Sequence, residues 1–220
     1  MEDMDIITMW KTQNEKIEQS LAINNHLLKE IIGGKAQSAL SHLKRLKITL
    51  LFFGILYLIF LGGLISFAVT HYSQAWNYFI ISVGAIFAIN AIAVATYAKH
   101  LVWLSQINYD GSIAQIQQRL SGLQSSIIQH SRIMYLQTPF FTTFYLSSNW
   151  FPQNAGWPFI LFQVVFTVAS IYSSIWIYKH MTLENIDHKI IKSLLSGSGR
   201  ETVKKAMDFY KEIEDFKVEK

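Results

Sequence analysis

Histidine is the residue type from which a metal site in this chain would have to be built. The chain has seven histidines and no cysteine, which excludes thiolate ligands and disulfides. A metal-binding helix places two histidines three or four positions apart, with acidic ligands near them. No pair of histidines here has that spacing. We therefore predict neither a metal site nor any other cofactor.

Hydroxyl and amide side chains form a second group of candidates. Residues 48–98 and 133–178 contain no Asp, Glu, Lys or Arg, but they do carry Asn90, Thr138, Thr142, Gln163, Thr167, Ser170 and Ser174. Hydrolysis would need a nucleophile beside a base, or a pair of carboxylates, and neither is available here. We predict that the chain is not an enzyme and that these side chains join helices through hydrogen bonds of ~0.6 kcal/mol each. The alternative is that they line a polar path.

The distribution of charge explains why these polar residues stand in apolar surroundings. All 19 Lys and Arg and all 15 Asp and Glu lie in residues 1–47, 99–132 and 179–220. Residues 48–70 would make a helix of roughly 34 Å, which is enough to cross a hydrocarbon layer about 30 Å thick. Residues 77–98 and 157–178 fit equally well. Residues 133–150 are a weaker fourth candidate because they contain Pro139 and several threonines.

Charge also predicts the orientation. Segments rich in Lys and Arg stay in the cytoplasm, and both ends and the centre of this chain are of that kind. The predicted fold is therefore all-α: a polytopic protein of the bacterial inner membrane, with four transmembrane helices extended by cytoplasmic helices and with both termini inside. In an alternative, residues 133–150 form a re-entrant piece, which leaves three crossings and an external C-terminal block.

The charged blocks are predicted to be helical as well. Residues 1–47 carry a capping-box pattern from Thr12 to Glu15. Residues 99–132 read as a helical hairpin whose second arm repeats apolar residues like a coiled-coil seam, with Ile113, Ile116, Leu120, Leu123, Ile127 and Met134, and with His130 in the same stripe. Residues 179–220 end in an amphipathic helix. The apolar faces must be covered by the protein itself, by the membrane surface or by a partner. The partner contacts we predict are Trp10, Ile17, Leu21, Leu28, Phe209 and Ile213.

One stretch resembles known sequences. Residues 9–31 read MWKTQNEKIEQSLAINNHLLKEI, and residues 35–48 read KAQSALSHLKRLKI. Together they resemble a poorly characterised family of small membrane proteins from Bacteroidota, often encoded beside extracytoplasmic-function sigma factors. The resemblance implies an anti-sigma-like regulator whose cytoplasmic helices hold a sigma factor. Since the chain lacks cysteine, that contact would not use the zinc of zinc-binding anti-sigma domains.

The sequence thus favours a non-enzymatic integral membrane regulator or adaptor that presents cytoplasmic helices to a protein partner. Two alternatives remain open, a small oligomeric channel or carrier and a structural subunit of a membrane complex. Membrane lipids and a second copy of the chain are further expected partners. A net charge of +4 is modest and follows from the cytoplasmic flanks, so nucleic-acid binding is not predicted.

Overall fold

The computed structural model describes the backbone of residues 2–109, 111–186 and 188–218, and the side chains of residues 10–20, 23, 27, 30–109, 111–186, 188–209 and 211. Over these ranges the fold is all-helical and contains no strand. The helices are α1 (Glu2–Thr70), α2 (Asn77–Ser105), α3 (Ile113–Tyr135), α4 (Trp157–His180), α5 (Lys189–Leu194) and α6 (Arg200–Val218).

Three helical segments are long and apolar enough to cross a membrane. They are Glu30–Thr70, Gln74–Ser105 and Trp157–His180, and they contain the predicted spans 48–70, 77–98 and 157–178. Large apolar side chains such as Phe53, Ile81 and Phe162 are exposed on their surfaces, each by more than 60%. Helices that are apolar all round and still exposed are typical of membrane spans. These three helical spans are therefore confirmed as candidates for membrane crossing.

The predicted third helical span, residues 133–150, is wrong as a helix. Helix α3 ends at Tyr135, a 3₁₀ helix follows at Thr138–Thr142, and turns continue through residue 154. Pro139 supplies no backbone N–H to a helix. The Thr142 hydroxyl donates to the Pro139 carbonyl (2.7 Å), and hydroxyls that bond to nearby backbone in this way compete with regular helix. We call residues 136–156 the broken segment.

A four-helix core packs the charged parts of the chain together. Ile116, Leu120, Leu123 and Ile127 of the predicted α3 seam are all buried. They pack against α1, the end of α2 and α6 in one cluster, with Ile32, Ala36, Leu40, Leu43, Leu104, Ile107, Val203 and Ala206. The apolar seam of α3 is thus covered by α1 and α6 as well as by the end of α2, the other arm of the predicted hairpin. Because α6 packs on α1 and α3, its apolar face is covered within the chain at Val203, Ala206 and Phe209.

The charged segments meet at one end of the apolar helices. The Lys47 ammonium, just before the apolar part of α1, donates to the carbonyl of Ser198, just before α6 (3.0 Å). Near it, the Arg132 Nε of α3 donates to the carbonyl of Tyr178 in α4 (2.7 Å). At the opposite end, the rings of Tyr78 in α2 and Phe151 in the broken segment lie 5.9 Å apart. The charged segments before, between and after the apolar helices therefore lie together at one end of these helices.

We expect Gly54→Ala to destabilise the packing of α1 on α2. A Cβ at Gly54 would stand 2.8 Å from the Val94 Cγ2, and the β-branched Val94 has little freedom to rotate away. Overpacking of this kind costs ~1–3 kcal/mol. Gly63→Ala is the matched control, because a Cβ at Gly63 has no neighbour within 4 Å. Thermal unfolding in detergent should show a lower Tm for Gly54→Ala only, and equal Tm values would contradict this packing.

Candidate functional sites

The first polar cluster joins the broken segment to α4. The Gln163 side chain is buried, and its Nε2 donates to the Thr142 carbonyl (2.6 Å) and to the Thr167 hydroxyl (3.2 Å). The Tyr145 hydroxyl donates to the Gln163 Oε1 (2.6 Å), and the hydroxyls of Thr142 and Thr167 lie 3.1 Å apart. The Gln163 amide thus donates a hydrogen bond to the Thr142 carbonyl, which lies outside the α-helices.

A second row of contacts joins the broken segment to α2. The Asn90 Nδ2 donates to the Gln137 Oε1 (2.9 Å) and to the Ile86 carbonyl (2.8 Å). Toward the start of α2, the hydroxyls of Ser82 and Thr143 are 2.8 Å apart. With the ring contact at Tyr78, these contacts run along ~18 Å of α2, at about 1.5 Å per residue. The broken segment therefore lies lengthwise on α2 and α4.

The remaining predicted intramembrane residues bond within their own turns. Thr138 donates to the Tyr135 carbonyl, Ser170 to the Phe166 carbonyl and Ser174 to the Ser170 carbonyl, each at 2.8–2.9 Å. The hydrogen bonds of these three hydroxyls therefore do not join two helices. In the first cluster, the amide and hydroxyl groups are paired with one another or with backbone.

The second polar cluster lies where α1, α2 and α3 meet the loop before α6, and we call it the Lys47 cluster. Lys47 and His100 are 2% and 0% exposed, and His130 is 6% exposed. The His100 Nε2 lies 2.9 Å from the Ser126 hydroxyl, and the rings of His100 and His130 are 6.3 Å apart. The Lys47 ammonium stands 5.2 Å from the centre of the Tyr97 ring. The apolar spans begin and end beside these groups.

Helical periodicity places the charged residue inside. Lys47 follows Leu40 by seven positions and Leu43 by four, so it lies on the same buried face of α1. His130 follows Ile127 by three positions on the buried face of α3, and His100 precedes Leu104 by four on α2. Three separate core stripes therefore end in polar side chains at the same level.

The Lys47 cluster is incompletely paired. The Nδ1 of His100 and both ring nitrogens of His130 are buried without a hydrogen-bond partner. Among the side chains that the structure describes, no Asp or Glu forms an ion pair with Lys47, and no third metal-binding residue joins the two histidines. Burial, and then the positive charge of Lys47, lower the pKa of His130 from 6.5 to about 4, so its ring is neutral at pH 7.

A cavity of about 270 Å³ opens beside this cluster. Lys47, His130 and the loop Ser196–Ser198 are among the residues that line it. Gly197 has φ +80°, in the left-handed region, and a Cβ there would meet nothing within 4 Å. The loop thus adds a residue without a side chain to the lining of the cavity. Sequence reasoning placed His130 in the α3 stripe but read Lys47 only as a cytoplasmic flank; its spacing from Leu40 and Leu43 was the available signal.

The predicted partner contacts are divided by the structure. Trp10 and Ile17 are 72% and 51% exposed on α1. Phe209 instead packs against the internal core, so at this residue the α6 face is covered by the chain itself. The side chains of Leu21, Leu28 and Ile213 lie outside the described residues. Of the six residues, Trp10 and Ile17 are thus the ones that the structure presents openly.

No protein family, curated protein or solved structure matches this chain.

We expect Gln163→Leu to lower the stability of the protein. The substitution removes the donor to the Thr142 carbonyl, and an unsatisfied buried acceptor costs ~1–3 kcal/mol. Ser173→Ala is the control, because the exposed Ser173 hydroxyl bonds only to the Ala169 carbonyl of its own helix. Thermal unfolding in detergent should show a clear fall in Tm for the first variant and little change for the second. Similar Tm values would mean that the broken segment does not depend on Gln163.

We expect stability to fall as the pH drops from 6.5 toward 4. Below pH 6.5 the unfolded chain protonates His130 while the folded chain keeps it neutral, so protons favour unfolding. For this residue the loss at pH 5 is about 2 kcal/mol. His130→Gln should remove that part of the pH dependence, whereas His42→Gln, at an exposed position, should retain it. Unfolding curves measured between pH 7.5 and 5 test this, and identical pH profiles for the two variants would contradict it.

Proposed function

We propose that this protein is a non-enzymatic integral membrane adaptor whose N-terminal arm docks a helical cytoplasmic partner. The arm is residues 10–31 of α1. The observation that carries the proposal is its exposure: every side chain described in this range is exposed, and Ile32 is the first of the described side chains of α1 that is buried. Most of the stability of helices in proteins comes from packing of an apolar face against another surface.

The pattern of the arm favours a helical partner. Its apolar and amide residues repeat at three- and four-residue steps, as in a coiled coil: Trp10, Asn14, Ile17, Leu21, Asn24, Leu28 and Ile31. Trp10, Ile17 and Ile31 are all more than 50% exposed. Asparagines within such a seam select register and partner at a cost in stability. The arm is thus suited to specific pairing more than to general adhesion.

The partner is proposed to be cytoplasmic. Basic segments at both ends of the chain and in its centre favour the inside of the bacterial inner membrane. The broken segment would then supply a fourth, non-helical crossing. Non-helical backbone is tolerated at membrane depth where protein covers it, and the bond from Gln163 to the Thr142 carbonyl supports that reading. The sequence resemblance makes a sigma factor the specific candidate.

A channel or carrier receives less support. The side chains that would line a polar path, above all Gln163, Thr142 and Thr167, are hydrogen-bonded to one another. A conducting path needs polar groups that are free to exchange partners with water or with substrate.

We expect Ile17→Asp to abolish partner binding. A charge in the middle of the seam should weaken docking by at least about 2 kcal/mol, or about 30-fold. The experiment uses the tagged full chain in its native host, with identification of the recovered cytoplasmic proteins by mass spectrometry and transcription from the promoter of the recovered sigma factor as readouts. The wild type should retain the sigma factor, and Ile17→Asp should release it and raise transcription.

Gln19→Asp is the matched control, because Gln19 lies on the opposite side of the arm and is exposed. It should behave like the wild type. If both variants retain the partner, docking through the arm is wrong. If the wild type recovers only a second copy of itself and Ile17→Asp is monomeric, the arm is a homodimer seam and the adaptor proposal fails.

A further inference from the structure

The geometry points to an anion-binding site in the cavity of the Lys47 cluster, which takes one phosphate group, from the headgroup of an anionic phospholipid or from free phosphate. This inference is independent of the partner that the N-terminal arm binds. It follows from an excess of buried donors, from the shape of the cavity and from its level along the helices.

Among the side chains that the structure describes, the cluster has positive charge and donors without an acceptor of opposite charge. Lys47 is 2% exposed, and the groups recorded against its ammonium are neutral: the Ser198 carbonyl at 3.0 Å and the Tyr97 ring. An ammonium has three N–H donors, so one bond to Ser198 does not satisfy it. A buried cation is retained at a large desolvation cost unless a counter-charge accompanies it. A bound anion would supply that charge.

His130 provides the independent sign of a ligand. Its side chain is only 6% exposed, it lines the cavity, and neither ring nitrogen has a hydrogen-bond partner. Buried polar groups in native proteins are almost always paired with protein, water or ligand. A neutral imidazole donates one N–H to an oxyanion, and protonation lets it carry charge as well. Lys47 and His130 face the same cavity from α1 and α3.

The cavity suits a small headgroup. Its volume of about 270 Å³ lies just below the range of sites for drug-sized ligands, roughly 300–1,000 Å³. Leu50 and Met134 line it together with the polar groups, so both apolar and polar side chains contribute to its wall. Lys47 immediately precedes the apolar residues 48–70. A site at the end of a span lies where lipid phosphates are found.

Lys47→Met tests the proposal in the purified full chain. The variant keeps the aliphatic stem and loses the charge; Lys44→Met removes an exposed charge one turn earlier and is the control. Delipidated protein in neutral detergent is titrated with three ligands. They are an anionic lipid whose phosphodiester links a neutral glycerol headgroup, the zwitterionic lipid phosphatidylcholine, and inorganic phosphate. Binding is followed by native mass spectrometry and by the shift in Tm.

We expect the wild type and Lys44→Met to bind one anionic lipid, and Lys47→Met to bind it at least about tenfold more weakly, as for the loss of one charge-assisted hydrogen bond. Protection by inorganic phosphate as well would assign the site to the oxyanion itself, and protection by the lipid alone would assign it to the headgroup. Equal weakening by Lys44→Met and Lys47→Met would indicate general surface attraction and overturn the proposal, as would absence of binding to both anions.

His130→Gln gives a second test that does not require Lys47→Met to fold. The groups facing His130 are Lys47 from α1, Tyr97 and His100 from α2, and Tyr135 from α3. The phosphodiester keeps one charge between pH 7.5 and 5.5, so His130 should make the wild-type affinity rise by up to about tenfold per pH unit as the pH falls. His130→Gln should flatten this dependence. Equal affinities of the wild type and His130→Gln at every pH, or a dependence that persists in His130→Gln, would remove His130 from the site.

Discussion

Every backbone N–H and C=O in the apolar part of this protein must find a partner within the chain, and the rest of the structure depends on that constraint. In α1, α2 and α4 the helix satisfies it locally. In the broken segment, where Pro139 interrupts regular helix, side chains take over. Gln163 is the clearest case, since its amide reaches a carbonyl 21 positions earlier in the chain. Asn90, Gln163 and Thr167 thus accompany the irregular segment, whereas Ser170 and Ser174 bond within their own helix.

A second constraint is that the buried face of a helix continues past its apolar residues and takes in polar ones. The stripe of α1 that buries Leu40 and Leu43 continues to Lys47, and the stripe of α3 continues to His130. The helix cannot turn these side chains outward without turning out the leucines and isoleucines that stabilise the core, at ~25 cal/mol per Å² of apolar surface. The charge of Lys47 and the imidazoles of His100 and His130, which keep nitrogens without a partner, are therefore buried at the level where the apolar spans begin. The same geometry that stabilises the core creates a polar cavity.

The two ends of α1 differ in how they are stabilised. From Ile32 onward the helix is covered by α2, α3 and α6, and then its apolar part is suited to lipid. Before Ile32 the described side chains are exposed although several are large and apolar. Intramolecular packing accounts for the C-terminal helix, where Val203 and Ala206 are buried in the same core. The two terminal segments looked alike as amphipathic helices, but α6 is covered within the chain at Val203, Ala206 and Phe209, whereas the described side chains of the arm are exposed.

The sequence by itself determined the three apolar helices and the buried α3 seam, because residue spacing and hydrophobic length act locally and need no knowledge of neighbours. It also identified Gln163, Thr142 and Thr167 as polar residues in apolar surroundings. Only the tertiary structure decided that residues 133–150 do not form one regular helix, that Phe209 is covered by the core and that Lys47, His100 and His130 lie close together. These outcomes depend on contacts between segments far apart in the chain, where hydrogen bonds to another helix can replace regular helix and where packing decides which of two similar faces is buried.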